Sequence, residues 1–340
     1  MPSSEIILGD GCTQVKYQRP RVTDTAVLIC FYNFCHYKRP YYNALYTLKL
    51  LYEAKIPTYV VEVVKGGETE QLVEPDLVLR TNSYMFYKEQ AFNELVKIVP
   101  PEYTKFIFLD ADILYEQPDW VDTVSAALDR HDVVHPFQWA KYCIPTNRTV
   151  FGPGKESSIA GWLRLGESIK NPDEFHPGFA IAFRRDMFER MGGFFDLCIM
   201  GGGDGAMMNV LLGGPYTNHV MMHMRWTPFL VDAYVDYLKR VSRLKPSLGY
   251  TRNTILHLFH GRYQNRKYDT RYITLSEAAN DPKQRAKDMV RKNQQSGLYE
   301  WVKGKKFNTI LHNYFKGRDE DVPLEIAMRD YKPKKQEPSK

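Results

Sequence analysis

A mixed α/β fold with a mainly parallel central sheet flanked by helices is the architecture this 340-residue chain predicts. Three observations carry that expectation. Apolar runs of strand length alternate with stretches of helical periodicity up to about residue 135, the pattern of parallel strands joined by crossover helices. Several of those runs end on polar or acidic residues, and ligands of such sheets collect at strand carboxyl ends. The composition, 44% hydrophobic and 25% charged with 23 Tyr and 18 Phe, is that of a globular chain with a large core.

Residues Thr25–Asn33 read as the first buried strand. Tyr41, Ala44, Leu45, Leu48 and Leu51 then recur at helical spacing behind Pro40, a residue suited to a first helical turn. The β-branched run Pro57–Val64 is the second strand, ending at Gly66-Gly67, and Asp76–Leu79 is a short third. Ala91, Leu95, Val96 and Val99 mark a helix closed by Pro100-Pro101. Lys105–Asp110 is a strand running into a carboxylate pair, followed by helix Trp120–Leu128 and strand Asp132–His135. Beyond residue 136 the texture changes to loops, glycine turns and aromatic clusters. Met187, Phe188 and Met191 make a short helix stopped by Gly192-Gly193, and Asp204 opens a helix over Gly205–Leu212. The expected division is an N-terminal segment 1–24, a ligand-binding half 25–140, a half 141–272 suited to a second ligand, a basic helical extension 273–330 and a flexible tail 331–340.

Charge and composition narrow the function. The longest apolar run, Thr25–Tyr32, is far shorter than the roughly 20 residues that span a bilayer. The N-terminal residues show neither a basic region nor an apolar one, so the expectation is a cytoplasmic protein without a signal peptide. Five scattered cysteines without a CxxC pair suit a reducing compartment. Net charge is +6, concentrated in Lys283–Lys306, a segment offered for peripheral contact with an anionic membrane. No DNA-reading motif accompanies it, and no nucleic-acid partner is expected. Dinucleotide, P-loop, nucleophile-elbow and protein-kinase signatures are all missing from the sequence.

Three constellations carry chemistry. Asp110-Ala-Asp112 follows the apolar run Phe106–Leu109, and hard oxygen ligands at a strand end suit Mn²⁺ or Mg²⁺ holding a diphosphate. Gly201-Gly-Gly-Asp204 combines backbone that a ligand can approach closely with a carboxylate, either a helix cap or a site acid. His257-Leu-Phe-His260-Gly261 supplies imidazole, a good partner for such a cation beside carboxylates. Lys88-Glu-Gln-Ala-Phe-Asn93 is a weaker candidate, and Trp139, Trp162 and Trp226 are candidates for stacking on sugar faces.

In that order, together with Glu62 after the second strand, His176-Pro-Gly-Phe-Ala and Gly-Gly-Phe-Phe-Asp196, these motifs resemble a GT-A-fold glycosyltransferase. The likeness is to soluble bacterial and large-DNA-virus enzymes distantly similar to β-1,4-galactosyltransferases, and covers about residues 25–272, with Tyr314–Asp321 as a candidate extension. The resemblance implies a Rossmann-like GT-A sheet and metal-dependent, inverting transfer of a sugar from a nucleotide sugar, a UDP-sugar by preference, to a glycan acceptor. By the same resemblance Phe31, Asn33 and Glu62 border the nucleotide, with Lys88 nearby, and Asp110 contacts ribose or donor sugar. Asp112 and His260 hold the metal, with His257 orienting its neighbour, and Asp204 is the base. Trp162 and His176 face the acceptor. Only glycines precede Asp204, where the galactosyltransferases carry Trp or Glu, so the resemblance extends to the reaction class and not to the sugar transferred. Two other readings share the fold: a sugar-nucleotide pyrophosphorylase, and a module that binds glycans or nucleotide sugars without catalysis.

Overall fold

Strand β1 (Thr25–Phe31) is buried at every position, as an uninterrupted apolar run must be when both faces of a sheet are covered. The structure is a computed structural model and describes residues 15–147, 150–302 and 304–331. Cys12, most of segment 1–24, Arg148 and Thr149, and all but the first residue of the 331–340 tail lie outside the described residues.

After β1 come α1 (Lys38–Glu53), β2 (Thr58–Lys65), β3 (Leu77–Thr81), α2 (Lys88–Leu95), β4 (Lys105–Asp110), β5 (Ile113–Tyr115), α3 (Trp120–Leu128) and β6 (Val133–His135). The second half adds β7 (Trp139–Cys143), β8 (Val150–Glu156), α4 (Ser158–Leu165), β9 (Ala180–Arg184), α5 (Arg185–Arg190), α6 (Gly203–Leu211), α7 (Thr217–His223) and α8 (Pro228–Ser242). Strands β10 (Leu248–Tyr250) and β11 (Thr254–His257) follow. The extension holds α9 (Ile273–Ala278), α10 (Ala286–Met289), a hairpin of β12 (Val290–Lys292) and β13 (Tyr299–Trp301), α11 (Gly304–Gly317) and α12 (Leu324–Ala327).

The main sheet has seven strands in the order β10-β6-β9-β4-β1-β2-β3. All its pairings are parallel except those of β9, which runs antiparallel between β4 and β6. This is the mixed, mainly parallel sheet that the alternation predicts. Alternate residues of β4 enter opposite cores: Phe106 and Phe108 pack with Phe183, Phe188 and Phe194, while Ile107 and Leu109 pack with Val27, Ile29 and Trp120. No helix among the described residues is long and apolar enough to cross a membrane.

A second sheet, ordered β5-β11-β7-β8, positions the site. The chain leaves β4 at Asp110, turns through Ala111-Asp112 and re-enters as β5. Strand β11 pairs antiparallel with β5, with His257 opposite Ile113, and the Leu258 N–H donates to the Asp112 carbonyl at 2.9 Å. Sheet register therefore brings His257 beside Asp112. Helix α11 presents Phe307, Leu311 and Phe315 to the main core at four-residue spacing. Val322 and Ala327 then pack on Phe259, drawing the C-terminal stretch onto the histidine loop. Within the basic segment, Arg285 pairs with Asp232 at 3.4 Å and Lys292 with Asp196 at 2.8 Å.

Candidate active site

A cavity of about 580 Å³ opens at the carboxyl ends of β1 and β4, lined among others by Phe31, Lys88, Asp110, Asp112, Asp204 and His260. At its floor three donor atoms converge. Asp112 Oδ2 lies 2.7 Å from His260 Nε2 and 3.5 Å from His257 Nε2, and the two Nε2 atoms are 3.2 Å apart. Spacings of about 3 Å are those a shared divalent cation imposes on its ligands. His260 Nδ1 lies 3.0 Å from Glu320 Oε1. With that nitrogen donating to the carboxylate, the Nε2 lone pair is turned toward Asp112 Oδ2 and toward Arg266 Nη2 at 2.7 Å, where it accepts from the guanidinium or would ligate a cation in its place. One half-buried carboxylate and two buried imidazoles, convergent on one point, fit Mn²⁺ or another divalent ion. Burial would raise the Asp112 carboxyl, yet the two histidines hold it well below the usual carboxylate range. Burial pushes His257 down to about 4, which keeps it neutral and able to ligate.

His257 is held by stacking. Phe179 lies 4.6 Å from its ring and 3.6 Å from His176 on the other side, centroid to centroid. Phe179 has φ 76°, a left-handed conformation that an aromatic residue adopts only under constraint. The constraint includes its carbonyl, which accepts from the Asp110 N–H at 2.9 Å. The sequence pattern puts His260 alone on the metal; the register brings both histidines to Asp112.

The second cluster is a bridge. Lys88 Nζ, at the start of α2, donates to Asp204 Oδ1 at 2.7 Å and to Asp110 Oδ1 at 3.2 Å. Burial would raise Asp204, but the Lys88 ammonium, with help from His176 and Arg271, holds it below its ordinary value. Asp110 is pushed up to about 7 by burial, with Lys88 opposing and the Asp204 and Asp112 charges adding to the rise. Glu89, beneath the glycine turn, is likewise raised to about 7, chiefly by burial. Helix α6 begins at Gly203, two residues earlier than its sequence pattern suggests, because Gly202 at φ 90° takes the cap. Asp204 is therefore inside the first turn, and its Oδ1 is bound to Lys88. The glycines are there for contact. A Cβ at Gly203 would stand 2.0 Å from Glu89 Oε1, and one at Gly178 would stand 2.4 Å from Asp204 Oδ2.

Guanidinium groups complete the wall. Arg266 Nη2 donates to His260 Nε2 at 2.7 Å, and Arg271 lies over Phe86 and Tyr268. Arg271 Nε and Arg318 Nε are buried without a hydrogen-bond partner among the described residues. Arg262, directly after Gly261, pairs with Asp330 at 2.7 Å and is off the cavity lining. Arg318 and Glu320 reach the cavity from the C-terminal stretch. The sequence offers their stretch, Tyr314–Asp321, only as a candidate extension of the likeness with no role for either residue, and the fold shows their place.

Several sequence candidates lie off the cavity lining. Asn33 Nδ2 donates to the Tyr37 carbonyl at 2.7 Å and to Gln71 Oε1 at 2.9 Å. Glu62 accepts from the Gln71 and Leu72 N–H groups at 2.8 and 3.0 Å. Both hold the loop after β2. Trp162 packs edge-on against Tyr216, with ring centroids 6.2 Å apart. Phe31 and His176 do line the cavity, whereas Trp139 and Trp226 are exposed.

No protein-family model and no curated protein matches the chain. Among solved structures it is similar to the catalytic domain of Drosophila β-1,4-galactosyltransferase 7 in complex with xylobiose, at 13% identity over 82% of this chain and 92% of that one, TM-score 0.39. It is also similar to a mannosyltransferase from Pyrobaculum calidifontis in complex with GDP-Man and Mn²⁺, at 16% identity over 95% and 74%, TM-score 0.40. Mannosyl-3-phosphoglycerate synthase from Rubrobacter xylanophilus matches at 10% identity over 81% and 83%, TM-score 0.36. All three TM-scores are below 0.5, and the functional reading stands on the site's own residues.

Proposed function

We propose that this chain is a metal-dependent GT-A glycosyltransferase that moves a sugar from a nucleotide sugar, first of all a UDP-sugar, to a glycan hydroxyl with inversion. What supports the reading is the meeting in one cavity of a cation-type cluster, unsatisfied guanidinium donors and a carboxylate held ionised beside glycine backbone. In this reading residues 25–140 bind the donor and 141–272 supply the base and the acceptor surface, including His176.

Asp112, His257 and His260 would hold the metal. When bound, Mn²⁺ or Mg²⁺ supplies Lewis-acid stabilisation of the diphosphate's negative charge. Arg266, Arg271 and Arg318 add fixed positive charge where the diphosphate departs, at no cost of reorganisation. Phe31 and Asp110 flank the donor, and Lys88 spans donor and acceptor sides through its two carboxylates. Asp204 accepts the proton of the acceptor hydroxyl as that oxygen bonds to the anomeric carbon and the bond to the diphosphate breaks on the opposite face. Lys88 keeps Asp204 deprotonated at neutral pH, so the base is ready whenever an acceptor arrives.

The test incubates the chain with UDP-sugars and a glycan acceptor, with and without Mn²⁺, and follows free nucleotide and the new linkage. Inverted product is expected, and the Asp204→Asn variant should lose about 10²–10⁴-fold in kcat with donor affinity nearly unchanged. Retained configuration, or near-normal turnover of the variant, overturns the assignment of the base.

A further inference from the structure

A second group of ligand-type side chains lies on the same cavity wall, built from other elements. Asp173 sits in the turn Pro172–Glu174, and α7 carries His219 and His223 four residues apart, hence on one helix face. His219 Nε2 lies 3.3 Å from Asp173 Oδ1 and 3.0 Å from His223 Nε2. The three ligand atoms all fall within 4.8 Å of one another, and all three residues line the cavity.

We propose that Asp173, His219 and His223 form a second divalent-cation site, of the zinc class, with its open coordination positions toward the cavity. Ligand bonds of about 2.0–2.2 Å in a tetrahedron set donor atoms about 3.3 Å apart, close to the two spacings observed. Two imidazoles and one carboxylate select a borderline cation such as Zn²⁺ or Co²⁺ over Ca²⁺ or Mg²⁺, which take oxygen ligands. Three protein ligands leave a position for water or for an oxygen of a bound molecule.

The elements that carry the ligands are pinned. Lys155 Nζ donates to the Asp173 carbonyl at 2.7 Å, holding the turn. The Tyr216 N–H donates to Asn209 Oδ1 at 2.6 Å, and Asn209 Nδ2 donates to Thr217 Oγ1 at 3.2 Å, tying the start of α7 to α6. Rigid backbone on both sides is what a site needs to hold its geometry. The site shares no ligand with the Asp112 cluster and does not depend on glycosyl transfer.

The test is a metal count on the full chain after chelation, with Co²⁺ followed by visible absorption and Zn²⁺ by calorimetry. Two equivalents are expected, with tetrahedral or five-coordinate Co²⁺ bands from the second site. The double variant His219→Gln/His223→Gln should lose one equivalent and keep the other. The double variant Asp112→Asn/His260→Gln should do the reverse. If His219→Gln/His223→Gln binds as much Zn²⁺ as the unaltered chain, the proposal fails. It fails equally if the unaltered chain binds a single equivalent, lost with Asp112 and His260. Should the histidine variant unfold, Asp173→Asn takes its place. Losing even an outer partner of a ligand costs about 10–100-fold in affinity, so losing this ligand should weaken Zn²⁺ at the site by about tenfold or more. Unchanged affinity there overturns the site, whatever the outcome of the transferase assay.

Discussion

Lys88 bridges two carboxylates of the cavity, Asp110 and Asp204. Removing it in Lys88→Met leaves the half-buried Asp110 and Asp204 near one another without the cation between them, so both should hold protons to higher pH. The acidic limb of the kcat profile should move upward, and a limb that stays in place would show that Asp204 does not titrate as the base. His135 sets a different pH dependence. It is fully buried, its Nε2 lies 3.3 Å from the Pro177 carbonyl and its Nδ1 accepts from the Ile159 N–H, and burial lowers it to about 4. Because its folded value lies below the ordinary 6.5, the unfolded chain binds a proton that the folded chain refuses. Stability supplied by this group is thus complete above pH 6.5 and falls toward pH 4, by on the order of 3 kcal/mol. Denaturant midpoints measured across that window should fall less steeply in His135→Gln, which does not titrate. Asp112 and Asp204 were legible because each stands in a distinctive local pattern. Lys88 was legible only as a candidate, since its role depends on two carboxylates 22 and 116 residues away. Asn33 and Glu62 show the opposite: polar residues at strand ends that hold a loop through their hydrogen bonds.

Among the elements, those with long, uninterrupted apolar runs were readable in advance: β1, β2 and β4 lie close to their expected bounds. Strands β7, β8, β10 and β11 were not. Strand β8 contains Gly152-Pro153-Gly154, and β10 and β11 have only three or four residues, too few for periodicity to register. Their absence from a sequence reading hides how His257 reaches Asp112, because that meeting is made by the β5–β11 register. Close glycine contacts make a test at this scale. Gly178→Ala, just before β9, would drive Asp204 off Lys88, and displacement by about 1 Å can cost about 10²-fold in rate. We expect that loss in kcat with the melting temperature within a few degrees, and a normal kcat would show that the contact does not position Asp204. The stretch after α11 offers another. Glu320→Gln should weaken Mn²⁺ activation by about 10–100-fold, since the carboxylate orients His260 without touching substrate. Unchanged activation would leave Glu320 with its Arg318 pairing alone.

Across the molecule, the C-terminal stretch is bound to the first strands rather than appended to them. Tyr84 N–H donates to Asn308 Oδ1, Tyr37 Oη donates to the Lys316 carbonyl, and Phe315 packs on Phe34 and Tyr32. A chain cut after Val302 should therefore expose the main core, bind a hydrophobic dye and lose near-ultraviolet circular dichroism. A native-like spectrum from that chain would make the stretch dispensable to the fold. These contacts span more than 200 residues of sequence, and pairings so distant form late in folding. The Glu320 contact with His260 has a further consequence for biosynthesis. While the ribosome is still making the chain, Asp112 and both histidines emerge well before the carboxylate that orients one of them. On the proposed reading, a nascent chain would offer only a loosely held cluster to a metal, and tight capture would wait for the residues around 320 to appear and dock. Proteolytic trimming of that stretch would then return a finished molecule to the nascent condition, with the cluster's own residues intact but their proposed grip on an ion weakened.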